Sequence, residues 1–279
     1  MIGSEGLKGK IRNIANSKNL RSQEVLQMFF FERFLERLSK SKYKFNFVIK
    51  GGLLISSMIG IDNRTTMDMD TTIKGVPLKE EVIRNIISEI INVEVNDGIE
   101  FKITDISHIR EEDEYENFRV HLIANFDKIK NDMKIDITTG DAITPKEIEY
   151  LYPCMFQEES LRVLAYPLET ILAEKYESVI KRNIFTTRMR DFYDLYNLYN
   201  LRKEEIDFDI LKQAIISTAN RRGSFSLMKQ AMEIIKDIKE DDYLKELWKV
   251  YLADNLYVGD LNFSETVKVV EIIAEKIAL

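Results

Sequence analysis

The 279-residue sequence has one cysteine and two histidines, and this scarcity limits the sites that it can build. Cys154 has no second thiol, so no intrachain disulfide can form and a cysteine-based zinc site is not expected. His108 and His121 are not spaced as zinc ligands. Cys154 has no adjacent base, and we interpret it as a small buried residue. The sequence therefore argues against a disulfide-stabilised protein and against a zinc-binding protein.

Long apolar stretches are also missing. No uninterrupted run of about 18 apolar residues occurs, which argues against a membrane span. The opening residues MIGSEGLKGK contain no apolar core of the signal-peptide type. We therefore expect a soluble protein of the reducing cytoplasm.

Neither half of the chain is basic. The formal net charge is −7, with 22 Lys and Arg against 25 Asp and Glu in residues 1–155 and 18 against 22 in residues 156–279. Sequence-independent binding to long nucleic acid is driven by many basic side chains. That mode of binding is not expected here, although a local basic patch remains possible.

The periodicity of apolar residues predicts two domains of an α+β protein. Residues 1–160 combine strands and helices, with a loosely ordered lead-in at 1–21 that holds a short helix, a helix capped by Ser22 and alternating strands such as Phe118–Phe126. Residues 161–279 carry helical patterns alone, at 168–183, 187–200, 207–220, 225–238, 241–253 and 264–278. We therefore predict a mixed sheet with flanking helices, followed by a C-terminal helical bundle.

The segment KGGLLISSMIGIDNRTTMDMD, residues 50–70, is the first candidate site. In a strand, Asp68 and Asp70 would point to one face while Met67 and Met69 point into the core. Two carboxylates on one face make half of a site for a hard cation such as Mg²⁺. A glycine turn at the start of a helix offers backbone N–H groups to a phosphate. The segment therefore favours metal-assisted nucleotidyl or phosphoryl transfer.

Asp136 is a candidate third carboxylate. Its neighbours Ile135 and Ile137 would face the core from a short strand at 133–137, so that Asp136 faces away from it. Three carboxylates on adjacent strands can hold Mg²⁺ together with substrate phosphates.

The helical half carries a third group of candidates. Lys175 falls within the apolar stripe of helix 168–183, where a lysine is unusual without a partner. Asp191 and Asp194 share a face of the next helix, and Lys175 or Arg190 is available to neutralise them. Residues 181–190 hold four cations and no acid, a local patch that could meet phosphate or an RNA end.

Each feature also has an ordinary structural interpretation. The aspartates could be solvated residues at strand ends or edges, and Lys175 could extend its amine to solvent over apolar surface. The basic patch could be a solvated loop between two helices. The residues taken singly do not decide between these interpretations.

Taken together and in order, four motifs resemble the AbiEii/AbiGii toxin family. They are the K-G-G segment with D-M-D at 50–70, K-I-D-I-T-T-G-D at 134–141, Y-P-L-E-T-I-L-A-E-K at 166–175 and R-M-R-D-F-Y-D-L-Y at 188–196. The resemblance covers roughly residues 45–200 and is strongest to the AbiGii branch of phage abortive-infection systems. Members of the family are nucleotidyltransferases of the DNA polymerase β-like superfamily.

The resemblance implies a metal-dependent toxin of a type IV toxin–antitoxin system that acts in antiviral defence. It would transfer NMP from an NTP to an acceptor, such as a tRNA 3′ end, with nucleotide bound between an α/β core and a helical bundle. Mg²⁺ or Mn²⁺ is the implied cofactor, and the antitoxin would act without a stable complex. Relatives often have G-S where this chain has Gly51-Gly52, so backbone amides would replace the serine contact.

Carried over by position, the motifs supply the predicted site. The predicted metal ligands are Asp68, Asp70 and Asp136. The predicted catalytic residues are these three with Lys175, Asp191 and Asp194. The predicted nucleotide-binding residues are Lys50, Gly51, Gly52, Arg64, Lys175 and Arg190.

Two other hypotheses remain open. An inactive NTP-binding regulatory module would bind nucleotide without turnover, and its binding would survive the loss of Asp136. A structural or partner-binding protein would show no change in melting temperature with Mg²⁺ and NTP. The sequence does not name the nucleotide or the acceptor, and residues 205–279 carry no motif that we can match.

Overall fold

The computed structural model describes residues 3–77, 79–109 and 117–279. In these ranges seven strands form one sheet: β1 Phe47–Lys50, β2 Met69–Ile73, β3 Glu100–His108, β4 Phe118–Phe126, β5 Ile129–Thr138, β6 Ile148–Tyr152 and β7 Leu161–Ala165. The α-helices described before β3 are α1 Ser4–Ser17, α2 Ser22–Lys40, α3 Gly51–Ile59 and α4 Glu80–Ile91. Those that follow β7 are α5 Leu168–Arg182, α6 Met189–Arg202, α7 Phe208–Arg221, α8 Phe225–Met228, α9 Ala231–Glu240, α10 Asp242–Asp254 and α11 Phe263–Ile277. The predicted mixed sheet with flanking helices and a following helical bundle is confirmed.

The chain divides into two compact units. The first unit consists of residues 1–140 and 148–165, and the second consists of residues 141–147 and 166–279. Strand β7 lies in the first unit, so the observed division falls after residue 165. The sequence pattern placed its boundary after residue 160.

The sheet of the first unit has the order β3-β4-β5-β2-β1-β7-β6. Strands β2 and β5 are parallel, as are β1 and β7, and the remaining neighbouring pairs are antiparallel. Because β5 joins β2 in parallel, two segments far apart in sequence lie side by side at the centre of the sheet.

Strict alternation explains why β4 and β5 pair as they do. Every second residue of β4, from Phe118 to Phe126, is buried, and the residues between them are half-buried. A tight connection at Asp127 and Lys128 joins the strands, and Asp127 adopts a left-handed φ of 49°. The hairpin therefore fixes the pairing of β4 with β5 over its whole length.

Helix α2 covers the apolar side of this sheet. Its side chains Phe30, Phe31, Phe34 and Leu35 are fully buried, and the helix packs on β5 and β7. Burial of an aromatic side chain of this size stabilises a fold by roughly 1.5–3 kcal/mol. The polar side of the sheet is thereby left for the charged residues of β2, β4 and β5.

The second unit is built on aromatic and aliphatic contacts between helices. Helix α5 packs on α7, and α6 packs on α11. The ring of Phe263 contacts those of Phe192 and Trp248, at centroid distances of 5.1 Å and 5.7 Å. These contacts hold α5, which carries Lys175, and α6, which carries Asp191 and Asp194.

Several local predictions were wrong. The helix predicted in the lead-in, whose first two residues lie outside the described part, spans 14 residues as α1, and the segment is not loosely ordered, because Leu7, Ile11 and Ala15 form a buried stripe at helical spacing. The N-cap of α2 is Arg21, and Ser22 is already helical. Met67 does not enter the core and is 48% exposed, because β2 begins only at Met69.

Strands β6 and β7 were not predicted, because both are short and mix polar residues with apolar ones. Their pairing is antiparallel, and β7 joins the sheet beside β1. The predicted strand at 133–137 is in fact ten residues long. None of the helices in the described ranges is long and apolar enough to cross a membrane.

Candidate functional site

Four charged residues form a row across the sheet of the first unit. Lys50 on β1 lies opposite Asp70 on β2, Asp70 lies opposite Asp136 on β5, and Asp136 lies opposite Arg119 on β4. Residues directly opposite in a sheet project from the same face. The row therefore places two carboxylates side by side with a cation at each end, and we call it the charge row.

Arg119 binds both carboxylate oxygens of Asp136. Its Nε and Nη2 donate to Oδ1 and Oδ2, each over 2.7 Å. The Asp136 side chain is 12% exposed and the Arg119 side chain is 33% exposed. The hydrogen bond to Asp136 raises the pKa of Arg119, burial opposes that rise, and the charges of Asp68 and Asp70 add to it. The pair is a bidentate ion pair at the half-exposed end of the row.

Arg119 was missed by the sequence reasoning, although a signal was available. It occupies an outward position in the alternating pattern of Phe118–Phe126, and a short connection follows that strand. Counting back from the turn at Asp127 and Lys128 brings Arg119 opposite Asp136.

Asp68 lies immediately before β2 and is positioned by its own loop. The hydroxyl of Thr66 donates to Asp68 Oδ1 over 2.7 Å, so the carboxylate has a fixed direction. Asp68 and Asp70 are both half-buried, whereas Met69 between them is fully buried. Both carboxylates therefore remain accessible to solvent while the backbone between them is anchored in the core.

The Gly51-Gly52 turn fits closely against the acidic residues, and neither position has room for a side chain. Gly51 has φ of +63°, and a Cβ there would lie 2.0 Å from Asp70 Oδ2. A Cβ on Gly52 would lie 2.8 Å from Thr66 Oγ1 and 3.0 Å from Arg64 Nη2. A serine at position 52 would require Thr66 and Arg64 to move.

The two predicted cations of this segment have different surroundings. Arg64 is buried, its guanidinium lies against Gly52, and it donates to the carbonyl oxygen of Thr65. Lys50 is half-buried and donates from Nζ to Thr138 Oγ1 over 2.7 Å. Lys50 thus lies within the charge row, whereas Arg64 supports the glycine turn from beneath.

The donor set can be compared with the requirements of Mg²⁺. This ion is held in proteins by one or two carboxylates together with water and substrate phosphates. Asp68 and Asp70 match that requirement, and the missing side chain at Gly51 lets the Asp70 carboxylate lie directly against the glycine turn. Within the described ranges no three His, Cys, Asp or Glu side chains are grouped to hold a metal ion. The residues present fit one cation at Asp68 and Asp70, and the three-ligand set with Asp136 stays a prediction.

The second unit gathers three more of the predicted residues into a lysine cluster, which consists of Lys175, Ser178, Asp191 and Asp194. Lys175 Nζ lies 2.6 Å from Asp191 Oδ1 and 2.9 Å from Asp194 Oδ2. Ser178 donates to the other oxygen of Asp191 over 2.8 Å. The Asp194 side chain is fully buried and that of Lys175 is 18% exposed. One lysine is therefore shared by two carboxylates in a mostly buried site.

The basic segment 181–190 forms the connection between α5 and α6. Arg182, Arg188 and Arg190 are exposed. Phe185, on a 3-10 turn at Asn183–Phe185, is 85% exposed. Arg190, a predicted nucleotide-binding residue, is not part of the lysine cluster, because its neighbour Asp191 faces Lys175 instead. The segment thus presents cations around an exposed ring.

The interpretation of Cys154 as a buried residue was wrong, because it is half-buried. Partial burial, with the nearby charge of Glu32, raises the pKa of the Cys154 thiol to about 11. A thiol that stays protonated at neutral pH is a poor nucleophile. Cys154 therefore has no part in the candidate site.

Comparison with known proteins places these sites in context. The family model described as "Nucleotidyl transferase AbiEii toxin, Type IV TA system" matches residues 33–277. No sequence among the curated proteins is similar enough to this chain to count as a match.

Among solved structures, JHP933 from Helicobacter pylori is 17% identical, with a TM-score of 0.56 over 92% of this chain and 93% of that chain. A second Helicobacter pylori protein, described provisionally as a nucleotidyltransferase, is 18% identical, with a TM-score of 0.53 over 92% and 96%. At this identity the likeness concerns the fold. Assignment to the AbiGii branch stays a prediction. The family match spans most of the sequence, and the chain belongs to the AbiEii family of nucleotidyl transferase toxins of type IV toxin–antitoxin systems.

Proposed function

We propose that this toxin transfers a nucleoside monophosphate from an NTP to the 3′ end of an RNA, with tRNA as the acceptor. The acceptor hydroxyl oxygen would form a bond to the α-phosphorus, the bond from that phosphorus to the bridging oxygen would break, and pyrophosphate would leave. The hydroxyl proton would pass to solvent or to a carboxylate. The charge row beside the Gly51-Gly52 turn carries this proposal, because it combines acids for a cation with amides and cations for phosphates.

We assign the phosphates to the backbone of the glycine turn and to Lys50. The turn begins α3, where backbone N–H groups have no partner within the helix. Asp68 and Asp70 would hold Mg²⁺ or Mn²⁺, which when bound bridges phosphate oxygens and offsets the charge that develops during displacement. Thr66 would orient Asp68. Lys175 remains the predicted triphosphate contact of the second unit, with Asp191 and Asp194 holding its amine in place.

The experiment is a labelling screen. The purified chain is incubated with Mg²⁺ and each of the four NTPs labelled at the α-phosphate, with total tRNA present or absent. Label should enter RNA with at least one NTP, and Asp70→Asn should reduce the rate by on the order of a hundredfold. Asp132→Asn is the matched control, since Asp132 is an exposed acid on the same strand as Asp136. Absence of label in RNA for the wild type would refute the proposal.

The basic segment 181–190 supports an RNA acceptor. Sequence-tolerant binding of single strands combines cations for the backbone with aromatic rings on which bases stack. The exposed Phe185 among Arg182, Arg188 and Arg190 has this combination, in a chain that is otherwise acidic. RNA would therefore be recognised by this local surface.

A fluorescence measurement tests this surface independently of turnover. The chain has one tryptophan, Trp248, which is buried, so Phe185→Trp adds an exposed reporter. A short single-stranded RNA should quench the added signal, and the quenching should weaken with salt. Leu201→Trp, at another exposed apolar position of the second unit, is the control and should not respond. Equal responses at positions 185 and 201 would exclude the proposed surface.

An inactive NTP-binding module is the second candidate, and the ion pair between Arg119 and Asp136 favours it. An aspartate with both oxygens on a guanidinium is not free to serve the reaction in that conformation. NTP with Mg²⁺ would then raise the melting temperature, by the equivalent of about 2.7 kcal/mol at a hundredfold excess over Kd, without label transfer. Label transfer by the wild type rules this candidate out.

Family membership also implies a nucleotide substrate and a cognate antitoxin. We propose that the antitoxin acts without a stable complex, that the reaction takes place in the cytoplasm, and that its outcome is arrest of the infected cell. Co-expression followed by size-exclusion chromatography should recover the toxin alone.

A further inference from the structure

We infer that Arg119 controls how many divalent cations the acidic site accepts. Its guanidinium acts as an internal cation on Asp136, so that the site without nucleotide takes one cation at Asp68 and Asp70. A second cation at Asp136 becomes possible only when Arg119 moves to a phosphate. The inference concerns the same site as the proposed nucleotidyl transfer and deepens it.

The first argument is geometric. The two hydrogen bonds of 2.7 Å engage both oxygens of Asp136 in the parallel arrangement that makes guanidinium–carboxylate pairs strong. The register of the β4–β5 hairpin sets Arg119 directly opposite Asp136, so the pair is built into the sheet. A divalent cation at Asp136 would have to share an oxygen with the guanidinium or displace it.

The second argument is the local charge. Three carboxylates, Asp68, Asp70 and Asp136, are already balanced by Lys50 and Arg119 in the charge row and by the buried Arg64 at the glycine turn. One divalent cation therefore makes this group positive, and a second would have to approach a positive site with Arg119 still in contact. Repulsion of this kind is strong where solvent screens poorly, and Asp136 is mostly buried. Arg119 therefore opposes a second cation by charge as well as by position.

The third argument is that Arg119 can be released. One third of its side chain is exposed, and its register neighbour on the outer side is the uncharged Ser107 on β3. Arginine binds phosphate in the same bidentate manner as it binds carboxylate. An incoming triphosphate offers an equivalent partner, and the exchange frees the oxygens of Asp136 for a metal ion. Arg119 is thus a positioning residue that acts through Asp136.

Binding of Mn²⁺ to the purified full chain, followed by electron paramagnetic resonance, tests the inference without any turnover. The wild type should bind one Mn²⁺ in the absence of nucleotide and two with a non-hydrolysable NTP analogue. Arg119→Gln should bind a second Mn²⁺ without nucleotide, at least about tenfold more tightly than the wild type. Arg119→Lys keeps the charge but loses the bidentate geometry, and should fall between the two.

Lys134→Gln is the matched control, because Lys134 is an exposed cation on β5 whose register partner on β4 is His121, whereas that of Asp136 is Arg119. If this variant strengthens Mn²⁺ binding as much as Arg119→Gln does, net charge explains the effect and the inference is wrong. An unchanged number and affinity of sites in a folded Arg119→Gln protein also overturns it. The expected Mn²⁺ stoichiometries without label transfer by any NTP would leave the inference standing and refute the proposed function.

Discussion

The two units balance their buried acids in opposite ways. In the first unit each central carboxylate of the charge row has a register neighbour of opposite sign, Lys50 for Asp70 and Arg119 for Asp136. In the second unit Lys175 alone serves Asp191 and Asp194. The charge row is half-exposed at its end, whereas the lysine cluster is almost sealed.

This difference separates a carboxylate whose cation can be exchanged from a pair of carboxylates that holds its lysine firmly. A half-exposed guanidinium can leave its carboxylate because water or a phosphate replaces it. A lysine shared by two buried carboxylates has no such replacement, and its removal leaves charge in a medium that solvates it poorly. We therefore expect large stability effects in the second unit and larger ligand effects in the first.

The largest effect is expected for Lys175→Met. The substitution leaves Asp191 and Asp194 without their cation, and we expect a loss of about 3 to 5 kcal/mol in the free energy of unfolding, measured with urea. The control is Lys245→Met, which removes an exposed pair with Asp242 and should leave the free energy of unfolding nearly unchanged. Equal losses for the two variants would show that the lysine cluster is not a stabilising site.

Gly51→Ala should have the next largest effect. Its left-handed φ and the overlap of the added Cβ with Asp70 should destabilise the first unit by roughly 1–3 kcal/mol and displace Asp70. Mn²⁺ binding should also weaken, because Asp70 is one of the two proposed ligands. Gly9→Ala is the control, because Gly9 lies exposed on α1 with nothing near its Cβ position, and it should stabilise the chain by roughly 0.5–1 kcal/mol. A stable Gly51→Ala protein with normal Mn²⁺ binding would contradict this geometry.

Arg119→Gln should reduce stability much less than Lys175→Met. The amide can still donate one hydrogen bond to Asp136, and solvent reaches the pair, so we expect a loss of about 1 kcal/mol in a urea titration. A loss comparable to that of Lys175→Met would mean that the pair is structural. The contrast between the two units would then disappear.

The last prediction concerns the reactivity of the Cys154 thiol, and no change in stability is involved. With its pKa raised to about 11, the thiol holds on the order of one hundredth of the thiolate of a free cysteine at pH 8, so alkylation should be slowed in proportion. Because a raised thiol pKa favours the protonated form, the rate should keep rising with pH above 9. Alkylation at the rate of a free thiol, followed by mass spectrometry, would contradict this surrounding for Cys154.

Features that depend on local spacing could be predicted from the sequence. Strand Phe118–Phe126 follows from its alternation and is found with those bounds. Helical spacing alone puts Asp191 and Asp194 on one face, and it predicts either Lys175 or Arg190 as their cation. The structure has Lys175 in that position. The core of the second unit likewise follows from apolar periodicity along each helix.

Features that depend on pairing between distant segments could not be predicted from the sequence. The parallel pairing of β2 with β5, which aligns Asp70 with Asp136, joins strands more than 50 residues apart, and no local pattern sets that register. Strands β6 and β7 escaped because each has only five residues, too few to show a clear periodicity. The close fit around Gly52 depends on Thr66 and Arg64, whose positions are set by tertiary packing.

The length of the tight connection at Asp127 and Lys128 determines which residue of β4 lies opposite Asp136. Side chains alternate along a strand, so one residue inserted into this turn would either reverse the face on which Arg119 lies or move it out of line with Asp136. Natural variation in the length of an exposed turn would then alter cation binding at a distance, with every acidic residue intact. Among relatives, the length of this turn should therefore be restricted wherever an arginine faces the third aspartate.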